Sequence, residues 1–241
     1  MAGLDTNTKL LLHCTGADES TTFDDVSDSG HTMTANGTAE VDTATTDPWG
    51  GNAGVLILDG SSAYLTAPDS LDFDVAASNT DSWTIDFWAK HDDHAGWEIY
   101  VAQDNGGSAR WEISHNHGEG IRFYATQSGS SIEVPWGGEI TDTNWHHISI
   151  CKVADEWGVY NGTAQVGYVK SSTEVSISAL LSIGRTPTFG SYFDGKLSEI
   201  RIQKSNYFNA APNSGKTDTI AVPTEPYSKD ALSRNKGIII F

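Results

Sequence analysis

The chain has 241 residues, with 32 acidic against 14 basic side chains and a formal charge of −18 at pH 7. That balance excludes nucleic-acid binding through a basic face, which needs clustered Lys and Arg, and it disfavours anionic lipid for the same reason. A hydrophobic content of 38% excludes wholesale disorder, and a charged content of only 19% leaves the polar surface to Ser, Thr, Asn and Gly, which favour strands and turns over surface helices.

The pattern along the chain is strand, turn, strand. Short apolar runs stand at 9–14 (KLLLHC) and 55–58 (VLIL), the latter ended by Asp59-Gly60. The stretch 83–90, WTIDFWAK, alternates, with Trp83, Ile85, Phe87 and Ala89 on one face and Thr84, Asp86, Trp88 and Lys90 on the other, which predicts a half-buried strand. Further strands are expected at 97–102, 109–115, 121–126, 131–134, 145–153, 156–160, 165–169, 173–177, 180–183 and 197–203. Turn clusters separate them: DNGG at 104–107, HGEG at 117–120, NG at 161–162 and DG at 194–195. Helix is expected only as single turns near 69–73 and 205–209. In the strand 145–152, His147, Ser149 and Cys151 share one face and His146, Ile148 and Ile150 the other; Trp83, Phe87, Trp145 and Ile200 are expected in the core.

Two cysteines, Cys14 and Cys151, are too few for a disulfide framework and read as buried thiols, with a bridge between them left open. No apolar stretch approaches the roughly 18 residues that would span a membrane, so no membrane insertion is expected. The opening MAGLDTNTK has neither a basic nor an apolar signal region, so release with a particle is expected rather than ordinary secretion. The last part, 209–241, carries Pro212, Pro223 and Pro226 among Ser, Thr, Asn and Lys, and predicts an extended strap. It ends in Gly237-Ile238-Ile239-Ile240-Phe241, apolar residues that call for cover, either on the same sandwich or as a strand added to a neighbouring subunit.

The landmarks then fall in a familiar order: LLLHCTG at 10–16, LDGSSAYLTAP at 58–68, WTIDFWAK at 83–90, WHHISICK at 145–152, YNGTAQVG at 160–167, LLSIGR at 180–185 and YFDGKLSEIRIQK at 192–204. Together they resemble the laminin-G-like, concanavalin-A-like lectin/glucanase jelly roll across residues 8–208. The resemblance implies an all-β fold, an antiparallel jelly-roll sandwich over 1–208 with an extended C-terminal arm over 209–241. Glu199, in SEIRI, stands where the family has a structural acid. The opening TNTKLLLHCTGADESTTFDD and the closing EIRIQKSNYFNAAP and PTEPY resemble laminin-G-like modules of tailed-phage structural proteins. They imply a virion surface or tail component, either capsid decoration or a tail-associated module, with other virion proteins or copies of itself as partners and host surface glycans as a further one. Here Asn206-Tyr207-Phe208 replaces the usual basic-aromatic pair.

Chemistry is sparse. Glucanases pair two carboxylates on one face, and no E-x-D-x-E run occurs; Glu98 and Glu112 are lone acids on separate strands. No G-x-S-x-G is present, so no catalytic residue and no enzyme is expected. His91-Asp92-Asp93-His94 and His115-Asn116-His117 are compact enough for zinc, although solvated loops account for them as simply. For Ca²⁺ the family uses rim acids, and Asp92, Asp93 and Asp104 are the candidates. Sugar binding needs an exposed aromatic face, for which Trp136 (after Pro135 and before Gly137-Gly138) leads, with Trp97 and Trp111 beside it. Assembly falls to Pro223, Tyr227, Ile238, Ile239, Ile240 and Phe241. The alternatives are a free carbohydrate-binding module and a glucanase-like enzyme.

Overall fold

A computed structural model of the chain describes residues 2–229. The strands in chain order are β1 (Ala2–Leu4), β2 (Thr8–Leu12), β3 (Thr34–Asn36), β4 (Glu40–Asp42), β5 (Val55–Asp59), β6 (Tyr64–Ala67), β7 (Trp83–His91), β8 (Trp97–Asp104) and β9 (Ala109–Asn116). They continue as β10 (Gly120–Gln127), β11 (Ser130–Gly137), β12 (His146–Val153), β13 (Glu156–Asn161), β14 (Ala164–Lys170), β15 (Leu181–Ile183), β16 (Asp194–Gln203) and β17 (Ser228–Lys229). A seven-stranded sheet runs in the order β11-β10-β9-β8-β15-β6-β3. An eight-stranded sheet runs β14-β13-β12-β7-β16-β5-β4, with β2 also on β16. Among the described residues every pairing within these two sheets is antiparallel. The expected all-β jelly-roll sandwich is what the chain forms.

The core follows from the alternation. Trp83, Ile85, Phe87 and Ala89 of β7 face Tyr100, Trp111, Ile113 and Phe123 across the gap between the sheets. Phe123 stacks on Trp157 at 4.7 Å and on Trp111 at 6.4 Å. Burying each such ring stabilises the fold by about 1.5–3 kcal/mol.

The opposite face of β7 corrects the half-buried expectation. Thr84 and Asp86 are buried as well, Thr84 under residues 205–207 and Asp86 under Tyr227 of the strap. Thr84 Oγ1 donates to Ser205 O at 2.9 Å and accepts from Tyr207 N–H at 3.1 Å. Asp218 accepts from Tyr160 OH at 2.6 Å and from Ala211 N–H at 2.8 Å, and Thr219 forms a bridge to Ala164. Cys151, Tyr160, Ala210 and Ile220 make a second, small apolar cluster beneath it. The described part of the strap includes β17, which pairs in parallel with β1.

Some expectations fail locally. Segment 173–177 has the buried alternation of Val175 and Ile177 but no ladder; Val175 N–H bonds Ala76 O at 2.8 Å, in a loop packed on a loop. Trp145 is only half-buried, its indole N–H donating to Thr46 O at 2.9 Å, so it braces a loop rather than the core. Leu71–Phe73 forms one 3₁₀ turn capped by Ser70, while 205–209 is a turn without helix. At Glu199 (φ 51°) β16 bulges, and its edge passes from β5 to β2 at that point.

Candidate functional site

The outward face of the seven-stranded sheet carries the most organised surface chemistry. In β9 and β10 the inward phase is Trp111, Ile113, Ile121, Phe123 and Ala125, so Arg110, Glu112, Arg122 and Tyr124 point out. Glu112 is fully covered: Arg110 Nε donates to its Oε2 at 3.0 Å and Arg122 Nη2 to its Oε1 at 2.8 Å. Burial raises its pKa, and the two guanidinium groups oppose that rise.

Both arginines also serve as spacers between rings. Arg122 lies 4.3 Å from the Trp136 centroid, 5.0 Å from Tyr124 and 5.2 Å from Trp97. Arg110 lies 4.8 Å from Phe189 and 5.0 Å from Tyr124. Trp97 meets Phe189 at 4.9 Å and Trp136 edge-on at 6.5 Å. An irregularity in the β10–β11 ladder puts Pro135 and Trp136 opposite Arg122 and so brings the indole onto this face. Phe189 is 45% exposed at the centre of the platform. Rings fixed by cation–π contacts lose little freedom when a ligand stacks on them.

Beside the platform, over β3, β6 and β15, the same face holds a cleft of about 470 Å³ whose lining includes Asn36, Tyr64, Thr66, Ser182 and Arg185. The Arg185 guanidinium sits 3.9 Å above the Tyr64 ring, and its Nη1 donates to Tyr192 OH at 2.9 Å. The loop between cleft and platform is pinned by Asp104, which accepts from Thr188 Oγ1 at 2.7 Å, Thr188 N–H at 2.9 Å and Gly106 N–H at 2.9 Å.

Of the three expected sugar-stacking residues, Trp97 and Trp136 meet on this platform, both half-buried. Trp111 does not: it is 1% exposed, and its indole N–H is spent on Phe73 O and Gln103 Oε1, so it offers no face to a ligand. The calcium set is also not brought together. Asp92 and Asp93 lie before the start of β8 and Asp104 at its end, about 23 Å away at a strand rise of about 3.3 Å per residue. Asp92 pairs with Lys196, Asp93 closes a turn on Ala95 N–H, and Asp104 is occupied as described. Pro223 is buried within the chain, and Tyr227 is an intramolecular anchor, bonded to Glu199 and Asp86 of the chain's own sheet. Ile238, Ile239, Ile240 and Phe241 lie outside the described residues.

Among the described residues one metal-type cluster exists. His91, Glu98 and His115, all buried between the sheets, bring donor atoms within 4.8 Å of one another. His91 and Glu98 are already hydrogen-bonded, whereas His115 Nδ1 is buried without a partner. His91 Nδ1 meets Glu98 Oε2 at 2.9 Å, His91 Nε2 meets Tyr100 OH at 2.8 Å, and Glu98 Oε1 accepts from Asp194 N–H at 2.9 Å. His115 Nε2 accepts from Ile140 N–H at 3.2 Å, which places the ring proton on Nδ1, so a cation at either nitrogen would have to displace that arrangement. Two of the three donors are thus held by hydrogen bonds of the chain itself, and the third keeps one ring nitrogen unpartnered. Burial pushes Glu98 up to about 7, and burial pushes His91 down to about 3 and His115 down to about 4. Glu98 and Glu112 point to opposite faces of the seven-stranded sheet, one toward the core and one outward, and do not face each other as a glycosidase pair would.

Sequence reasoning missed Phe189, Arg110, Arg122, Tyr124, Tyr64 and Arg185. The polar phase of 109–115 and 121–126 held the signal for Arg110, Arg122 and Tyr124; Phe189 and Arg185 sit in and beside a loop without periodicity.

A family model for the concanavalin A-like lectin/glucanases superfamily matches residues 59–210. No curated protein matches the chain at a significant level. Among solved structures, the binding domain of Paraclostridial Mosquitocidal Protein 1 superposes with a TM-score of 0.62 at 12% identity, over 85% of this chain and 53% of that one. A botulinum neurotoxin type C structure, described by cell entry dependent on two ganglioside molecules, gives 0.61 at 11% identity, over 83% and 48%. Domain 4 of the extracellular GH43 arabinanase AbnA from Geobacillus stearothermophilus, in complex with arabinotriose, gives 0.61 at 18% identity, over 83% and 94%. The chain thus spans about half the length of the two toxin structures and nearly all of the arabinanase domain.

Proposed function

The chain belongs to the concanavalin A-like lectin/glucanases superfamily, and from that premise we propose that it is a non-catalytic module that binds surface glycans through the outer face of its seven-stranded sheet. The observation that carries the reading is the platform of Trp97, Trp136 and Phe189, held apart by Arg110 and Arg122 and opening onto a cleft of about 470 Å³. Flat rings offer the apolar face that a pyranose or furanose stacks on, and Asn36, Thr66 and Arg185 in the cleft offer partners to hydroxyls. The arabinotriose complex and the ganglioside-dependent toxin support this ligand class. The setting we propose is a phage particle, as capsid decoration or tail module, in contact with other virion proteins or further copies of the chain. The resemblance of the opening and closing segments to tailed-phage modules supports it.

The test is an array of surface oligosaccharides, including arabino-oligosaccharides and ganglioside headgroups, probed with the full chain and with Trp136→Ala and Phe189→Ala. At least one glycan is expected to bind, with about five- to tenfold loss in each variant, as one stacking contact of about 1–1.5 kcal/mol implies. An array with no binding by the parent, or undiminished binding by both variants, overturns the reading.

A further inference from the structure

The chain carries an excess of 18 negative charges, which makes a carboxylate partner available to most of its arginines. Three of the four arginines among the described residues have one: Arg110 and Arg122 share Glu112, and Arg201 holds Asp86. Arg185 has no ion pair among the described residues. Among the described residues its side chain bonds just the neutral hydroxyl of Tyr192, and its Nε is buried without a partner. The hydroxyl of Ser182, 3% exposed, is likewise buried and unpartnered. Both residues line the same cleft.

Two unspent polar groups converging on one cavity are what a bound ligand satisfies, since a buried donor left unpaired is costly. A guanidinium presents its donors in a planar fork that matches a carboxylate. Tyr64 stacks beneath the fork, and the bond to Tyr192 fixes its rotation, so the group is oriented before any ligand arrives. Asp104, the acid in the lining, does not compete for it, because its oxygens are held by Thr188 and Gly106. From this juxtaposition we infer that the cleft takes the acidic unit of a glycan, a uronic or sialic acid type of sugar, with its carboxylate on Arg185 and Ser182. The inference rests on the glycan reading above and names its substrate class. The aromatic platform would then hold neighbouring sugar units of the same chain.

The experiment measures affinity for matched pairs that differ only in charge: oligogalacturonide against its methyl ester, and sialyllactose against lactose. Parent, Arg185→Met and Trp136→Ala are compared, and inorganic phosphate is added as a competitor. The acidic member of at least one pair is expected to bind about tenfold or more tightly, the worth of one charge-assisted hydrogen bond. Arg185→Met brings it to the level of the neutral member, whereas Trp136→Ala weakens both members and leaves their ratio. Equal binding of acidic and neutral members by the parent, or a preference that survives Arg185→Met, overturns the inference while leaving the glycan reading standing. Loss of acidic-glycan binding at equimolar phosphate overturns it in favour of a general phosphate site. Failure of the parent to bind either member of either pair overturns it also, and the array then decides separately whether the glycan reading falls with it.

Discussion

Arg201 and Arg185 are built alike and left in opposite states. Arg201, on the outer face of the eight-stranded sheet, lies 3.6 Å from the Tyr207 ring and 3.9 Å from Tyr227. Arg185, on the seven-stranded side, lies 3.9 Å from Tyr64 and 5.6 Å from Tyr192. The first is sealed under the strap and matched by Asp86, whose oxygens also meet His147 and the Tyr227 hydroxyl. The second opens on a cleft and has no carboxylate. The same stacking device thus serves closure on one face and reception on the other. What separates them is whether the chain supplies the anion itself.

Breaking the sealed side has the largest expected effect. Burial alone would raise the Asp86 carboxyl, but Arg201 and His147 outweigh it and hold it below the usual carboxylate range. Asp86→Ala removes that anion and leaves a buried guanidinium uncompensated, so about 3–5 kcal/mol of stability should be lost, read from the urea midpoint. An unchanged midpoint would mean that the strap's cover is not what holds the charge. Tyr227→Phe is gentler. It removes one donor to Asp86 and one acceptor from Arg201 while keeping the ring, and about 1.5–3 kcal/mol should go.

The network between the sheets gives a pH test. Glu98 is raised from 4.5 to about 7, so the folded state keeps its proton where the unfolded state loses it. Its contribution is therefore full below about pH 4.5 and is lost as pH climbs through 7. His91 and His115 act the other way, being held below 6.5, so their part is present above 6.5 and fades as pH falls toward 3–4. Glu98→Gln removes only the first effect. Relative to the parent, the variant should gain about 2 kcal/mol between pH 5 and pH 8. A constant difference across that range would show that Glu98 stays ionised when folded. The smallest effect belongs to the receptive side: Arg185→Met gives up one ring contact and one neutral hydrogen bond and should cost no more than about 1 kcal/mol. A larger fall would mean that Arg185 holds the 184–190 loop rather than awaiting a ligand.

The sequence made the sandwich legible because the inward phase of each long strand is apolar and the turns between them are rich in Gly and Asn. WTIDFWAK gives β7 directly, and NG at 161–162 marks the β13–β14 hairpin. The short polar strands Thr34–Asn36 and Glu40–Asp42 carry no such contrast and were silent. Site residues were harder. Trp97 and Trp136 stood out as aromatics near strand ends, but so did Trp111, and only strand phase separates a core indole from a surface one. Asp92 and Asp104 looked like one set because sequence hides the length of the strand between them. Arg185 gave no signal, since being unpaired is a property of the folded neighbourhood and not of the residue.

Cys14 and Cys151 turn this layering into something a clock can read. Both thiols are free and buried, and burial pushes Cys151 up to about 12, so neither reacts while covered. Cys14 lies in the apolar layer between the two sheets, whereas Cys151 lies with Ala210 and Ile220 under the strap. A thiol reagent reaches Cys151 once the strap lifts, whereas Cys14, in the wall of a small pocket with Phe23 and Val26, is reached through opening of the body itself. The native chain therefore carries two built-in timers, one for its cover and one for its body.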